Sequence, residues 1–108
     1  MRRPLLLIFA ALLFHMPPAL AADPPELWIK AKCAVCHAKD GSGKTDIGRK
    51  RAVRDLRLPA IQEMTDKELT KSITRGHDRM PAFQRQVTAG GVRTLLNYIR
   101  DLPRPPKK

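Results

Sequence analysis

The chain has 108 residues and two cysteines, and both cysteines lie in one pentapeptide, Cys33-Ala34-Val35-Cys36-His37. On a helical turn, residues three positions apart lie on nearly one face, so both thiols can reach one side of a single flat macrocycle. The adjacent histidine comes round beneath that ring, where a neutral imidazole nitrogen can ligate a central metal. Cys-x-x-Cys-His is the attachment signature of c-type haem. Each residue then has a chemical role, since thioether bonds form at Cys33 and Cys36, and His37 binds iron from the proximal side. A thioredoxin-like redox pair would need a βαβ setting, which the surrounding sequence does not offer, and a structural zinc site would need a fourth protein ligand close by.

Iron in an electron carrier usually takes a second axial ligand, and Met64, His77 and Met80 are the candidates downstream of the motif. Met80 is the best placed. It stands in Gly76-His77-Asp78-Arg79-Met80-Pro81-Ala82-Phe83, where Gly76 ends a helix and Pro81 fixes the backbone beside the thioether. Met64 precedes a helix start and reads as an apolar contact at a helix entry. His77 reads as a solvated loop histidine, and its ligation would give a bis-histidine haem of lower potential.

Those residues must be held by a small domain. Arg2 and Arg3, the apolar run Leu5 to Phe14, and Ala19-Leu20-Ala21 follow the order of a secretory signal peptide over residues 1–21, cleaved after residue 21 or 22. The apolar run is far shorter than the roughly 20 residues of a membrane-spanning helix. Without Arg2 and Arg3, 19 of the 21 basic residues remain against 10 acidic ones, a net charge of about +9. In an exported protein that charge points away from nucleic acid and equally to acidic protein faces or anionic membrane surfaces as partners and to a solvated surface that keeps a small protein soluble, although Arg49-Lys50-Arg51 with Arg54 and Arg57 imitates a nuclear or RNA-binding segment. A mature chain this short stabilises itself poorly by apolar burial alone, and a covalently held haem would supply the missing apolar body.

The local patterns are helical, with no convincing strand and no repeat. Asp23-Pro24 predicts a helix start, and good helix formers continue from Glu26 to Cys33. Gly41 and Gly43 break the pattern. Thr65-Asp66-Lys67-Glu68 is a capping box, followed by Leu69 and Ile73 up to a stop at Gly76. A last helix begins at Thr88 and presents Val92, Leu95, Leu96 and Ile99 on one face until Pro103 ends it. Residues 103–108 form a basic, Pro-rich tail expected to be disordered.

Ala38-Lys39-Asp40-Gly41-Ser42-Gly43-Lys44-Thr45 imitates a phosphate-binding loop. Such a loop needs a preceding strand and a following helix within a sheet. Here it directly follows the haem-binding turn, so nucleotide binding is not expected.

Taken in order, Cys33-Ala34-Val35-Cys36-His37, Asp40-Gly41-Ser42-Gly43, Met80-Pro81-Ala82-Phe83 and Leu95-Leu96-Asn97-Tyr98-Ile99-Arg100 resemble the small periplasmic monohaem class I c-type cytochromes. The resemblance covers essentially the whole mature chain. It implies an all-α domain over residues 22–102, three to four helices wrapped around one covalently bound haem c. Carried over by position, Cys33 and Cys36 hold the haem, His37 is the proximal ligand and Met80 the distal one. It also implies a periplasmic, non-enzymatic carrier of single electrons between redox donor and acceptor proteins, with acidic docking faces on those partners. The alternatives are a haem subunit of a larger respiratory or dehydrogenase complex, and a ligand-sensing or peroxidase-like protein with an open distal site. The chain departs from the family at two points. Many relatives have glycine directly after the motif histidine, where this chain has Ala38. Many have an aromatic four residues before the first cysteine, where this chain has Ile29, with Trp28 one step back and set to face a different side of the helix.

Overall fold

Two amphipathic helices dominate the architecture, and their boundaries follow from capping side chains. Asp66–Arg75 begins with Thr65, whose hydroxyl accepts from Glu68 N while the Glu68 carboxylate accepts from Thr65 N, a reciprocal cap satisfying two otherwise unpaired amides. Gly76 ends it. Ala89–Asp101 starts from Thr88, whose hydroxyl accepts from Gly91 N. This cap and the apolar stripe outweigh the helix-weakening Gly90 and Gly91. The two helices pack together through Leu69 and Ile73 on one side and Val92, Leu95, Leu96 and Ile99 on the other, all buried.

The computed structural model describes residues 23–106. The expected leader at 1–21 and the last two residues of the basic tail lie outside the described residues. Among the described residues there are six helices: α1 Glu26–Lys30, α2 Cys33–His37, α3 Asp46–Lys50, α4 Pro59–Gln62, α5 Asp66–Arg75 and α6 Ala89–Asp101. Among these residues no strand forms, and none of their helices is long and apolar enough to cross a membrane. The all-helical class is as expected, while the count exceeds three to four for two physical reasons. α3 and α4 are one-turn elements, too short to show a hydrophobic period. The expected continuous helix to Cys33 is divided: Lys32 takes a left-handed conformation (φ 63°, ψ 21°), ending α1 at Lys30 and restarting the helix at Cys33. Asp23 is not the cap of α1, because Pro25 occupies that position with no side-chain bond.

That break changes the phase between Trp28 and the cysteines. Trp28 is 2% exposed and meets Tyr98 of α6 edge to face, with ring centroids 5.2 Å apart, whereas Ile29 is 46% exposed. The terminal helices therefore meet through Trp28 and Tyr98. Gln62 ties α4 to α6 by donating to the carbonyls of Leu56 and Ile99 at 2.7 and 2.9 Å. Arg100 of α6 donates to the Gln62 carbonyl at 2.7 Å and to Met64 O, and pairs with Asp66 at 3.0 Å.

Candidate haem-binding site

The five-residue helix α2 carries the whole attachment motif, and a helix end normally leaves carbonyls unpaired. Here four donor groups from elsewhere in the chain meet five successive carbonyls, the Thr45 hydroxyl being shared between two of them. The Thr45 hydroxyl donates to Val35 O at 2.7 Å and lies 3.3 Å from Cys36 O. Gly43 N donates to His37 O at 2.9 Å, Trp28 Nε1 to Ala38 O at 3.0 Å, and the Tyr98 hydroxyl to Lys39 O. The same Thr45 oxygen accepts from Gly48 N at 2.8 Å, so it joins α2 to α3. Gly48 is needed there, since an added Cβ would collide with the carbonyl oxygens of Gly43 and Cys36. These bonds fix the backbone that aims the motif side chains.

Both cysteines are partly buried, and neither is in a disulfide. Cys33 packs against the apolar core, where burial raises its thiol pKa and keeps it protonated. His37 lies against Trp28, with ring centroids 5.9 Å apart and planes at 43°. Burial lowers its pKa to about 4, so the ring is neutral near pH 7, the form in which imidazole binds metal. Its Nδ1 is buried and has no hydrogen-bond partner among the described residues. Two thiols on one short helix beside a neutral imidazole with an unpaired nitrogen fit covalent haem and an iron atom.

Met80 is held by a tight turn. His77 N donates to Met80 O at 3.1 Å and Met80 N to His77 O at 2.8 Å, with Asp78 in the left-handed region at φ 48°. Phe83 N and Gln84 N then donate to Ile73 O and Thr74 O, bringing the chain back onto the end of α5. Gly76 (φ 79°) permits this, because a Cβ there would lie 2.7 Å from Met80 O and 3.0 Å from Ala82 N. The Met80 side chain is partly buried against the core that Cys33 and Ala34 also touch. Met64 packs on the same cluster, whereas His77 is exposed and its Nε2 lies 3.2 Å from Asp78 Oδ2.

The loop that imitates a phosphate cradle has spent its amides internally. Gly41 N donates to Ala38 O, Ser42 N to Asp40 Oδ1, Gly43 N to His37 O, Lys44 N to Ser42 Oγ and Thr45 N to Gly43 O. Its glycines instead allow positive φ at 75° and 74° as the chain turns beside the motif. Thr45, Trp28 and Tyr98 are positioning residues that pattern reading missed, since nothing local in the sequence pairs them with the α2 carbonyls.

The family model described as "Cytochrome C oxidase, cbb3-type, subunit III" matches residues 19–99. The chain belongs to this cytochrome c family. This cytochrome is also similar to cytochrome c6 of Rippkaea orientalis (strain PCC 8801 / RF-1), with 30% identity over 105 residues, covering 92% of each chain. Its fold matches that of a solved c-type cytochrome, KustC0563, with a TM-score of 0.63 at 23% identity, covering 72% of this chain and 96% of that one. It is a small monohaem c-type cytochrome, its cofactor is covalently bound haem c, and it is an electron-transfer protein with redox partners.

Proposed function

We propose that this cytochrome is an exported, periplasmic, non-enzymatic carrier that passes single electrons between redox proteins through a His37- and Met80-ligated iron. Its leader is residues 1–21 and its haem domain residues 22–102. Bound haem supplies the one-electron couple. Cys33 and Cys36 would hold the macrocycle through thioethers, and the partly buried, neutral His37 would offer its imidazole to the iron. Met80 would offer a soft thioether to the same iron, which would raise the potential relative to bis-histidine ligation. The core around both segments penalises the extra charge of the oxidised state and acts in the same direction. Surplus cations favour acidic faces on donor and acceptor, with exchange rates falling as salt rises.

The observation that carries this reading is the Met80 turn, which presses one thioether onto the core touched by Cys33. The test is an absorption spectrum of the oxidised holoprotein, expected to show the weak near-infrared sulfur-to-iron band. Met80→Ala is expected to remove the band and leave the haem attached. A wild-type protein without the band, binding carbon monoxide readily when reduced, would refute His/Met ligation. The family description favours one second reading, a haem subunit docked in a larger complex. Elution of the native protein as a free monomer would argue against it.

A further inference from the structure

Four large hydrophobic side chains are conspicuously exposed among the described residues, and two of them, Val35 (45%) and Ile47 (40%), stand on helices in contact, α2 and α3. Their cationic surroundings are lopsided. Residues 44–54 carry Lys44, Arg49, Lys50, Arg51 and Arg54 against the single anion Asp46. All five cations are exposed, and of these only Arg49 forms an ion pair among the described residues, with Asp46 at 3.3 Å. Arg79, from the Met80 turn, reaches the Lys50 carbonyl at 3.4 Å and adds an exposed cation to the same ridge. The ridge is rigidly seated, because Thr45 and Gly48 lock α3 onto the Cys36 carbonyl.

We infer that this ridge, which carries exposed Val35 and Ile47 on two contacting helices together with these cations, is the face through which the cytochrome docks on an acidic face of its redox partner protein. The inference rests on the electron-carrier reading. Exposed apolar side chains on a face that also carries exposed cations combine the two elements of a protein interface, apolar contact and polar surroundings. The five-residue α3 is too short to lie in a lipid surface as an amphipathic helix. The basic face of α5, with Lys67, Lys71 and Arg75, differs: Lys67 is flanked by Asp66 and Glu68, and none of the four exposed large hydrophobics lies there. Docking on the ridge would also bring a partner within one backbone layer of Cys36, where a short electron path is useful.

The test uses the holoprotein on gold electrodes carrying carboxylate-terminated or hydroxyl-terminated alkanethiol monolayers, the former standing in for an acidic face. Two variants lose the same charge: Lys50→Gln/Arg51→Gln/Arg54→Gln on the ridge and Lys67→Gln/Lys71→Gln/Arg75→Gln on α5. At low ionic strength the ridge variant is expected to exchange electrons about tenfold more slowly than wild type on carboxylate. The α5 variant is expected to stay within about twofold, and both should converge with wild type at 1 M salt, where screening acts over about 3 Å. Equal loss in both variants, or none in either, would overturn the inference. So would ridge-dependent binding to phosphatidylglycerol vesicles without ridge-dependent electron exchange, which would assign the face to lipid. The two failures are distinguishable: a missing near-infrared band in wild type strikes the His/Met reading, whereas an intact band with equal variant rates strikes the docking face alone.

Discussion

The indole N–H of Trp28 donates to the carbonyl of Ala38 at 3.0 Å, across ten residues of chain. With Tyr98 donating to the next carbonyl, Lys39 O, side chains from the two terminal helices close on the backbone leaving His37. Trp28→Phe removes a donor and leaves space in a site only 2% exposed. The expected loss is about 2–4 kcal/mol in guanidinium unfolding of the holoprotein. Tyr98→Phe keeps its ring and loses one hydrogen bond, for about 1 kcal/mol. If the tyrosine change cost more than the tryptophan change, the closure would not be held in this way.

Ala38 sits at φ 63°, ψ 170°, a conformation that L-residues rarely adopt and glycine reaches without steric penalty. Such strain costs on the order of 1–3 kcal/mol, while a glycine loses about 0.5–1 kcal/mol of chain entropy on folding. Relief of strain therefore outweighs the added entropy cost. Ala38→Gly is expected to stabilise the protein by about 1 kcal/mol, raising the melting temperature by about 4–8 °C for a domain of this size. A lowered melting temperature would contradict the strain assignment.

What could be read from sequence here was what is local. Cys33-x-x-Cys36-His37 is a contiguous chemical unit, the Thr65–Glu68 cap spans one helical turn, and the buried face of α6 repeats at helical spacing. The same locality hid the rest. Tyr98 meets Lys39 across 59 residues, and the Thr45 hydroxyl reaches Val35 across ten, so no window of sequence contains both the donor and its reason. The division of α1 from α2 was equally illegible, because lysine has good helix propensity and takes φ 63° at position 32 only under tertiary demand. Trp28 looked misplaced for the same reason: its expected facing assumed an unbroken helix.

Asp55 and Arg57 form a mostly buried pair, with two side-chain hydrogen bonds at 2.8 and 2.9 Å. The Arg57 hydrogen bonds hold the Asp55 carboxyl below the usual carboxylate range. A depressed carboxylate pKa stabilises the fold fully above the unfolded value of about 3.9, and that contribution is lost as pH falls through the lower folded value. Asp55→Asn is therefore expected to be less stable than wild type at pH 7, by about 1 kcal/mol. The difference should shrink as unfolding is measured from pH 5 towards pH 2. A gap that widened with acid would reverse the sign and refute the pairing.

Gly76 couples the end of α5 to the sixth-ligand candidate. At φ 79° the position disfavours any side chain, and a Cβ would lie 2.7 Å from Met80 O and 3.1 Å from Pro81 C, closer than real Cβ atoms approach for the first. These neighbours are backbone, so no rotamer change can relieve the clash; the Met80 turn itself must move. Gly76→Ala is thus expected to weaken or abolish the near-infrared sulfur-to-iron band while both thioethers remain, because α2 and its carbonyl donors lie elsewhere in the chain. Met64→Leu is the control, since Met64 packs on the same core and does not belong to the turn. It should leave the band intact at a stability cost under about 1.5 kcal/mol, as expected of a volume-conserving exchange. Loss of the band in Met64→Leu, with retention in Gly76→Ala, would move the distal ligand from Met80 to Met64.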